Sequence, residues 1–118
     1  DNWNKSRKYI KNDVHYILGK KKWKTVVTHN PDGEYGHTHH QMTSYIVSKD
    51  SRVDMNQLVY FGKYYRKKNM PHNLNSISQS DLEKKMKLTS MYSSQSKVMD
   101  HLGHMLPHEN WVKAKDWR

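Results

Sequence analysis

The sequence predicts an α+β fold, in which helices flank a small antiparallel sheet formed by a hairpin near residues 23–47. Two observations lead to this prediction. Between the first two helical stretches, β-branched residues surround a cluster of turn-forming residues. Apolar residues also recur at helical spacing in three stretches, at about residues 4–18, 81–92 and 97–106.

The first predicted helix covers residues 4–18. Its apolar residues, Ile10, Val14, Ile17 and Leu18, fall at helical spacing on one face, and most of its lysines and arginines fall elsewhere. Gly19 is typical of the residue that ends a helix. We therefore expect an amphipathic helix that packs on the sheet through one side.

Two strands joined by a turn are predicted next. Residues 23–29 alternate β-branched and polar side chains, which is typical of a strand. In the segment 30–33, Pro31 fixes φ and Gly33 supplies a positive φ, so this segment predicts a turn. A second strand over 37–47 would complete a hairpin.

The rest of the chain has weaker signals. Residues 57–61 are compatible with a third strand or a short helix. Ser80 and Glu83 have the spacing of a capping box, which predicts a helix start, and Pro107 is expected to stop the last helix. We expect one basic α+β domain over residues 1–118, with an extended C-terminal tail at 107–118.

The composition points to a polyanionic partner. The chain has 21 Lys and Arg against 11 Asp and Glu, a formal net charge of +10, and such a field attracts nucleic acid. No apolar run approaches the roughly 18–20 residues of a membrane span. The absence of cysteine excludes disulfides and thiolate chemistry and favours a reducing compartment inside the cell, cytoplasm or organelle matrix.

Two runs interleave cations with aromatic rings. Lysines and arginines neutralise phosphates, and tyrosine or tryptophan rings stack on unpaired bases. The same pattern also fits a solvated face with half-buried tyrosines. We expect nucleic-acid contacts, to RNA or DNA, from the following residues: Lys20, Lys21, Lys22, Trp23, Lys24, Lys63, Tyr64, Tyr65, Arg66, Lys67 and Lys68.

The segment 29–40 gathers histidines around the predicted turn. On a strand, residues i and i+2 share a face, so His37 and His39 would point together while His40 points away. The hairpin would fold His29 and Asp32 back towards them. Such nitrogen and oxygen ligands suit Mn, Mg or Zn. The alternative is that these histidines contact only solvent, backbone or phosphate.

The pattern His29-x-x-Asp32 followed by His37-x-His39 resembles the HUH rolling-circle replication initiators and relaxases. The resemblance implies an antiparallel sheet with flanking helices and a divalent metal held by His37 and His39, with His29 and Asp32 as supplementary ligands. It further implies that Tyr92 is the nucleophile that attacks a DNA phosphate and becomes covalently linked to the DNA.

Three functions follow from these observations as hypotheses. The first is a basic nucleic-acid-binding protein, a non-catalytic RNA-binding subunit of a ribonucleoprotein particle. The second is a metal-dependent HUH endonuclease that nicks single-stranded DNA through a tyrosine. The third is an accessory structural subunit of a large, organellar protein assembly. Nucleic acid and other protein subunits are the expected partners.

Overall fold

The computed structural model describes residues 2–118, which divide into two compact units. The first unit contains the chain up to Lys63 together with Trp111–Arg118, and the second contains Tyr64–Asn110. Both helices and strands are present, so the α+β class is confirmed. One domain over residues 1–118 stays a prediction.

The first unit alternates helices and short strands. In chain order its elements are α1 (Trp3–Leu18), β1 (Val26–Thr28), the single turn α2 (Gly33–Gly36), α3 (Thr38–Ser48), β2 (Leu58–Phe61) and β3 (Trp111–Lys113). The predicted first helix is confirmed, and Gly19 is its C-cap residue. A strand within 23–29 and a strand at 57–61 are also confirmed.

The three strands form one mixed sheet in the order β1-β2-β3. Strand β1 runs parallel to β2, with Val26 opposite Leu58, and β2 runs antiparallel to β3, with Tyr60 opposite Val112. The predicted hairpin near 23–47 is wrong, because β1 pairs with β2 instead of with the segment 37–47. Parallel strands such as these need a long crossover and cannot be joined by a tight turn. Helix α3 lies in that crossover.

The segment predicted as a second strand, 37–47, is helix α3. Its start is capped by His37, whose Nδ1 accepts a hydrogen bond from the backbone N–H of His39 at 3.2 Å. Thr43, Ile46 and Val47 have the i, i+3, i+4 spacing of one helical face, and the last two are buried. The apolar residues at 45–47 therefore belong to a helix that packs on the sheet.

The core of the first unit surrounds Leu58, which is fully buried at the start of β2. Val47, Tyr60 and Ala114 complete the buried cluster. Trp117 packs against it, with its ring 5.6 Å from that of Tyr60. Part of the segment predicted as an extended tail therefore supplies a strand and core contacts.

The second unit contains α4 (Gln79–Ser90) and α5 (Ser96–Leu102), which confirm two C-terminal helices. The predicted end at Pro107 is wrong, because α5 ends at Leu102 and a 3-10 turn follows at Gly103–Met105. Helix α4 begins earlier than the predicted capping box. Its N-cap is Ser78, whose hydroxyl accepts from the backbone N–H of Asp81 at 3.1 Å, so Ser80 as the cap was wrong. No residue within 64–110 is buried.

Among residues 2–118, no helix has the length and apolar character needed to cross a membrane.

Candidate functional site

The histidine turn, residues 29–40, begins where β1 ends and leads into α3. The backbone N–H of Gly33 donates to the carbonyl of Asn30 at 3.0 Å, and Gly33 has a φ of +67°. The predicted turn at 30–33 is therefore confirmed. A Cβ at position 33 would lie 2.7 Å from Cγ of Gln41, so glycine is also needed there for space.

Glu34 follows with a strained backbone. Its φ of 58° and ψ of −87° fall close to the γ-turn region with positive φ, which L-residues rarely adopt. Such a conformation costs of order 1–3 kcal/mol and persists only where neighbouring contacts enforce it.

The contacts that enforce it come mainly from Asn30, which is fully buried. Its side-chain Oδ1 accepts from the Glu34 backbone N–H at 3.0 Å, and its backbone N–H donates to Glu34 Oε1 at 3.0 Å. Its Nδ2 donates to the carbonyls of Phe61 at 3.2 Å and Gly62 at 3.1 Å. Asn30 thereby ties the histidine turn to the carboxyl end of β2.

This arrangement brings one carboxylate and two imidazoles together. Glu34 Oε2 lies 3.0 Å from Nδ1 of His29 and 2.6 Å from Nδ1 of His40. The two rings are stacked with centroids 4.0 Å apart and 9° between their planes. All three side chains are partly buried. The ligand atoms lie within 4.8 Å of one another, a group that could hold a metal ion.

The metal ligands predicted from the sequence are only partly brought together. His29 belongs to the cluster. His37 and His39 lie close to each other, with ring centroids 5.2 Å apart, but the strand argument for this pairing is wrong because the segment is helical. His39 stacks on Trp3 with centroids 4.2 Å apart. His37 caps α3 and stacks on His40 at 4.4 Å, so the expectation that His40 points away is also wrong.

Asp32 is exposed, and Glu34 supplies the carboxylate instead. The Asp32 backbone carbonyl accepts a hydrogen bond from Gln41 Nε2 at 3.2 Å. Sequence reasoning missed both Glu34 and His40. A helical interpretation of 37–48 would have indicated His40, which lies three residues after His37, whereas no local signal indicates the inward turn of Glu34.

A basic groove, here called the α1–α3 groove, lies between those two helices and has a volume of about 420 Å³. Its lining contains four cationic side chains and no acidic one. The Arg7 guanidinium lies over the ring of Tyr45, 5.4 Å from its centroid. The lining residues are Asn4, Arg7, Lys8, Lys11, Tyr45, Ile46 and Lys49.

A second basic groove, of about 690 Å³, lies where α1 ends. Four of its lining residues belong to the predicted Lys20–Lys24 run, and Arg52 adds another cation beside a single acid, Asp54. Trp23 is held here, because its Nε1 donates to the Ile17 carbonyl at 3.2 Å. Lys20, the remaining residue of the run, lies instead over Tyr16, with its Nζ 4.2 Å from the centroid of the ring.

The other predicted run, 63–68, is divided between the two units. Lys63 follows β2 while Lys24 precedes β1, and these two strands are parallel, so the two lysines lie at opposite ends of the strand pair. In the second unit, Tyr64 and Tyr65 are half-buried, and the cations Arg66, Lys67 and Lys68 are exposed.

Tyr92, the predicted nucleophile, lies two residues beyond the end of α4 in the second unit. Its side chain is 64% exposed, and it precedes a short 3-10 turn at Ser93–Gln95.

Comparison with known proteins finds one informative similarity. The chain is 30% identical over 115 residues to uncharacterized protein L374 of Acanthamoeba polyphaga mimivirus, an alignment that covers 98% of this chain and 44% of that protein. The chain thus spans less than half the length of this relative. No protein-family model matches the chain, and no solved structure matches it.

Proposed function

We propose that this chain binds nucleic acid through the α1–α3 groove of its first unit. The observation that carries the proposal is the lining of that groove, where Arg7, Lys8, Lys11 and Lys49 meet without an acidic neighbour. Cations that replace the counterions of a phosphate backbone provide most non-specific affinity for nucleic acid. A concave surface lets several of them reach one strand together.

Tyr45 makes an unpaired strand the favoured ligand. Its ring is 52% exposed at the groove and already carries the Arg7 guanidinium near its face. Stacking of a base on an aromatic side chain is worth about 1–3 kcal/mol and tolerates any sequence. Phosphate neutralisation and stacking together describe a binder of single-stranded RNA or DNA that does not read a particular base sequence.

The proposal extends the expectation drawn from composition. A net charge of +10 attracts any polyanion, and the lining of the groove indicates which cations would contact it. We also propose that the chain works inside the cell, in a reducing compartment where nucleic acid is available, as a subunit of a ribonucleoprotein particle.

The test is fluorescence anisotropy with labelled single-stranded RNA and DNA oligonucleotides over a range of salt concentrations. We expect the double variant Arg7→Ala/Lys11→Ala to bind roughly 10- to 30-fold more weakly near 0.1 M salt, with a salt slope reduced by about 1.4, at about 0.7 per lost phosphate contact. The single variant Tyr45→Ala should also weaken binding, because it removes the stacking ring. Tyr45→Phe keeps the ring and should not weaken binding.

The matched control is Lys84→Ala/Lys87→Ala, which removes the same charge from exposed positions on α4. This variant should bind almost as the natural chain does. Equal losses of affinity in the two double variants would show that net charge alone drives binding and would contradict the proposal that the α1–α3 groove is the binding site. Absence of binding to any oligonucleotide would favour an accessory structural subunit of a protein assembly.

Metal-dependent nicking of single-stranded DNA is a second candidate, and the cluster of His29, Glu34 and His40 favours it. The reaction would use Tyr92 as nucleophile and leave a covalent protein–DNA adduct, as the resemblance to HUH enzymes implies. Incubation with oligonucleotide and Mn²⁺, Mg²⁺ or Zn²⁺ tests it. An adduct that Tyr92→Phe abolishes would support this candidate, and bound but intact DNA would contradict it.

A further inference from the structure

We propose that His29, Glu34 and His40 form a zinc-binding site that leaves a coordination position open for water or a phosphate oxygen. Two imidazoles and one carboxylate are a common set of protein ligands for zinc. Three protein ligands of a tetrahedral ion leave the fourth position to solvent or to a ligand. This site does not depend on nucleic-acid binding by the α1–α3 groove.

The distances favour a shared ion. Nδ1 of His29 and Nδ1 of His40 both face one atom, Glu34 Oε2, at 3.0 and 2.6 Å. Donor atoms bound at about 2.0–2.2 Å around a tetrahedral zinc lie about 3.4 Å apart. To accept the ion, the two Nδ1–Oε2 distances would lengthen towards this value. The two rings, whose planes are now 9° apart, would also rotate, since an imidazole binds a metal in its own plane.

The carboxylate is already oriented. Oε1 of Glu34 accepts from the Asn30 backbone N–H at 3.0 Å, which leaves Oε2 directed at the two histidines. Hydrogen bonds of this kind fix a metal ligand's orientation and raise its affinity for the ion. Asn30 is in turn fixed to the carbonyls of Phe61 and Gly62, so the carboxylate is positioned by the sheet.

The backbone of Glu34 provides an independent argument. Its φ of 58° is the only positive φ of a non-glycine residue among residues 2–118. Strain of this kind concentrates at functional sites, where it places a side chain that a relaxed backbone would direct elsewhere. Here the strained residue is the one that supplies the carboxylate, although Gly33 and Gly36 of the same turn adopt a positive φ more easily.

A hydrogen-bonded cluster without an ion is the alternative explanation. In that case His29 and His40 only hydrogen-bond with Glu34 Oε2, and Zn²⁺ would not bind with a stoichiometry of one ion per chain. Metal titration therefore distinguishes the two explanations.

The first experiment titrates the metal-free full chain with Zn²⁺ against a chromophoric chelator, and with Co²⁺ by visible absorption. We expect one ion per chain with a tetrahedral cobalt spectrum. Glu34→Gln and His40→Ala should each weaken binding at least 100-fold. Two controls should leave it unchanged: Asp32→Asn, which removes the exposed carboxylate of the same turn, and His101→Gln, which removes an exposed histidine elsewhere.

The second experiment needs no variant and so does not depend on folding of the mutants. Long-range ¹H–¹⁵N spectra of the histidine side chains should show Zn²⁺ bound to Nδ1 of His29 and His40, with Nε2 still protonated. Absence of stoichiometric binding, coordination through other histidines, or an equal loss of affinity in Asp32→Asn would each overturn the proposal.

Discussion

The first unit contains a buried apolar cluster around Leu58, whereas no residue of the second unit is buried. Leu58 is 0% exposed and Tyr60 5%, while Leu88 and Met91 are 59% and 69% exposed. A packed core holds the elements around it in fixed positions, and precise sites need such support. Charge and aromatic content therefore do not distinguish the two units, whereas a packed core that can hold side chains in fixed positions does.

The same contrast applies to the two basic-aromatic runs. Trp23 is held by its bond to the Ile17 carbonyl and by Gln57, whose Nε2 donates to the Trp23 carbonyl at 2.9 Å. Arg66 precedes a short 3-10 turn and Lys67 and Lys68 lie on it, in a unit without buried residues. We therefore propose that the first unit, rather than the second, binds nucleic acid, although both runs have the composition expected of a binding surface.

The largest expected effect is on the core of the first unit. Leu58→Ala should lower the free energy of unfolding by about 2–5 kcal/mol, because it leaves a cavity among tightly packed residues. Leu82→Ala on α4 should cost about 1 kcal/mol or less, since Leu82 is only half-buried. Urea unfolding followed by tryptophan fluorescence and by circular dichroism measures both. Equal losses in the free energy of unfolding would contradict the difference in packing between the two units.

The next effect concerns the attachment of the histidine turn. Asn30→Ala should cost about 1–3 kcal/mol, because the Glu34 backbone N–H loses its buried acceptor. The carbonyls of Phe61 and Gly62 lose their donor in the same substitution. The matched control, Asn56→Ala, changes an exposed loop residue and should alter the unfolding midpoint very little. A similar small change for Asn30→Ala would contradict its role as the tie to β2.

The smallest effect tests the strain at Glu34. Because only glycine adopts a positive φ without cost, Glu34→Gly should be more stable than Glu34→Ala by about 1–2 kcal/mol. Within helix α4 the order should be reversed, with Glu83→Gly less stable than Glu83→Ala by about 0.5–1 kcal/mol. Thermal unfolding of the four variants without metal gives both signs. The same order at both positions would show that Glu34 is not strained.

Local features of the fold could be predicted from the sequence. Helix α1 and its end at Gly19, the turn at 30–33 and the two C-terminal helices depend on spacing and turn chemistry within a few residues. The parallel pairing of β1 with β2 joins residues about thirty positions apart, and no local pattern encodes it. A hairpin requires a strand at 37–47, and this is where the prediction is wrong, because the segment forms helix α3.

The position of the candidate site could be predicted from the sequence, but its full set of ligands could not. A concentration of histidines indicates the turn, and His29 was predicted as a ligand. Choosing His40 over His39 requires the helical period of α3, and choosing Glu34 over Asp32 requires the strained backbone that Asn30 imposes through a long-range contact. The cations of the α1–α3 groove were likewise missed, because Lys49 and Tyr45 meet α1 only when 38–48 is a helix.

The most direct test of the central claim, that nucleic acid binds the positioned surface of the first unit, is amide shift mapping. Spectra of ¹⁵N-labelled chain are recorded during titration with a single-stranded oligonucleotide. We predict the largest shifts along the α1–α3 groove, at Arg7, Lys8, Lys11, Tyr45 and Lys49. Shifts confined to residues 64–68 of the second unit would contradict the account.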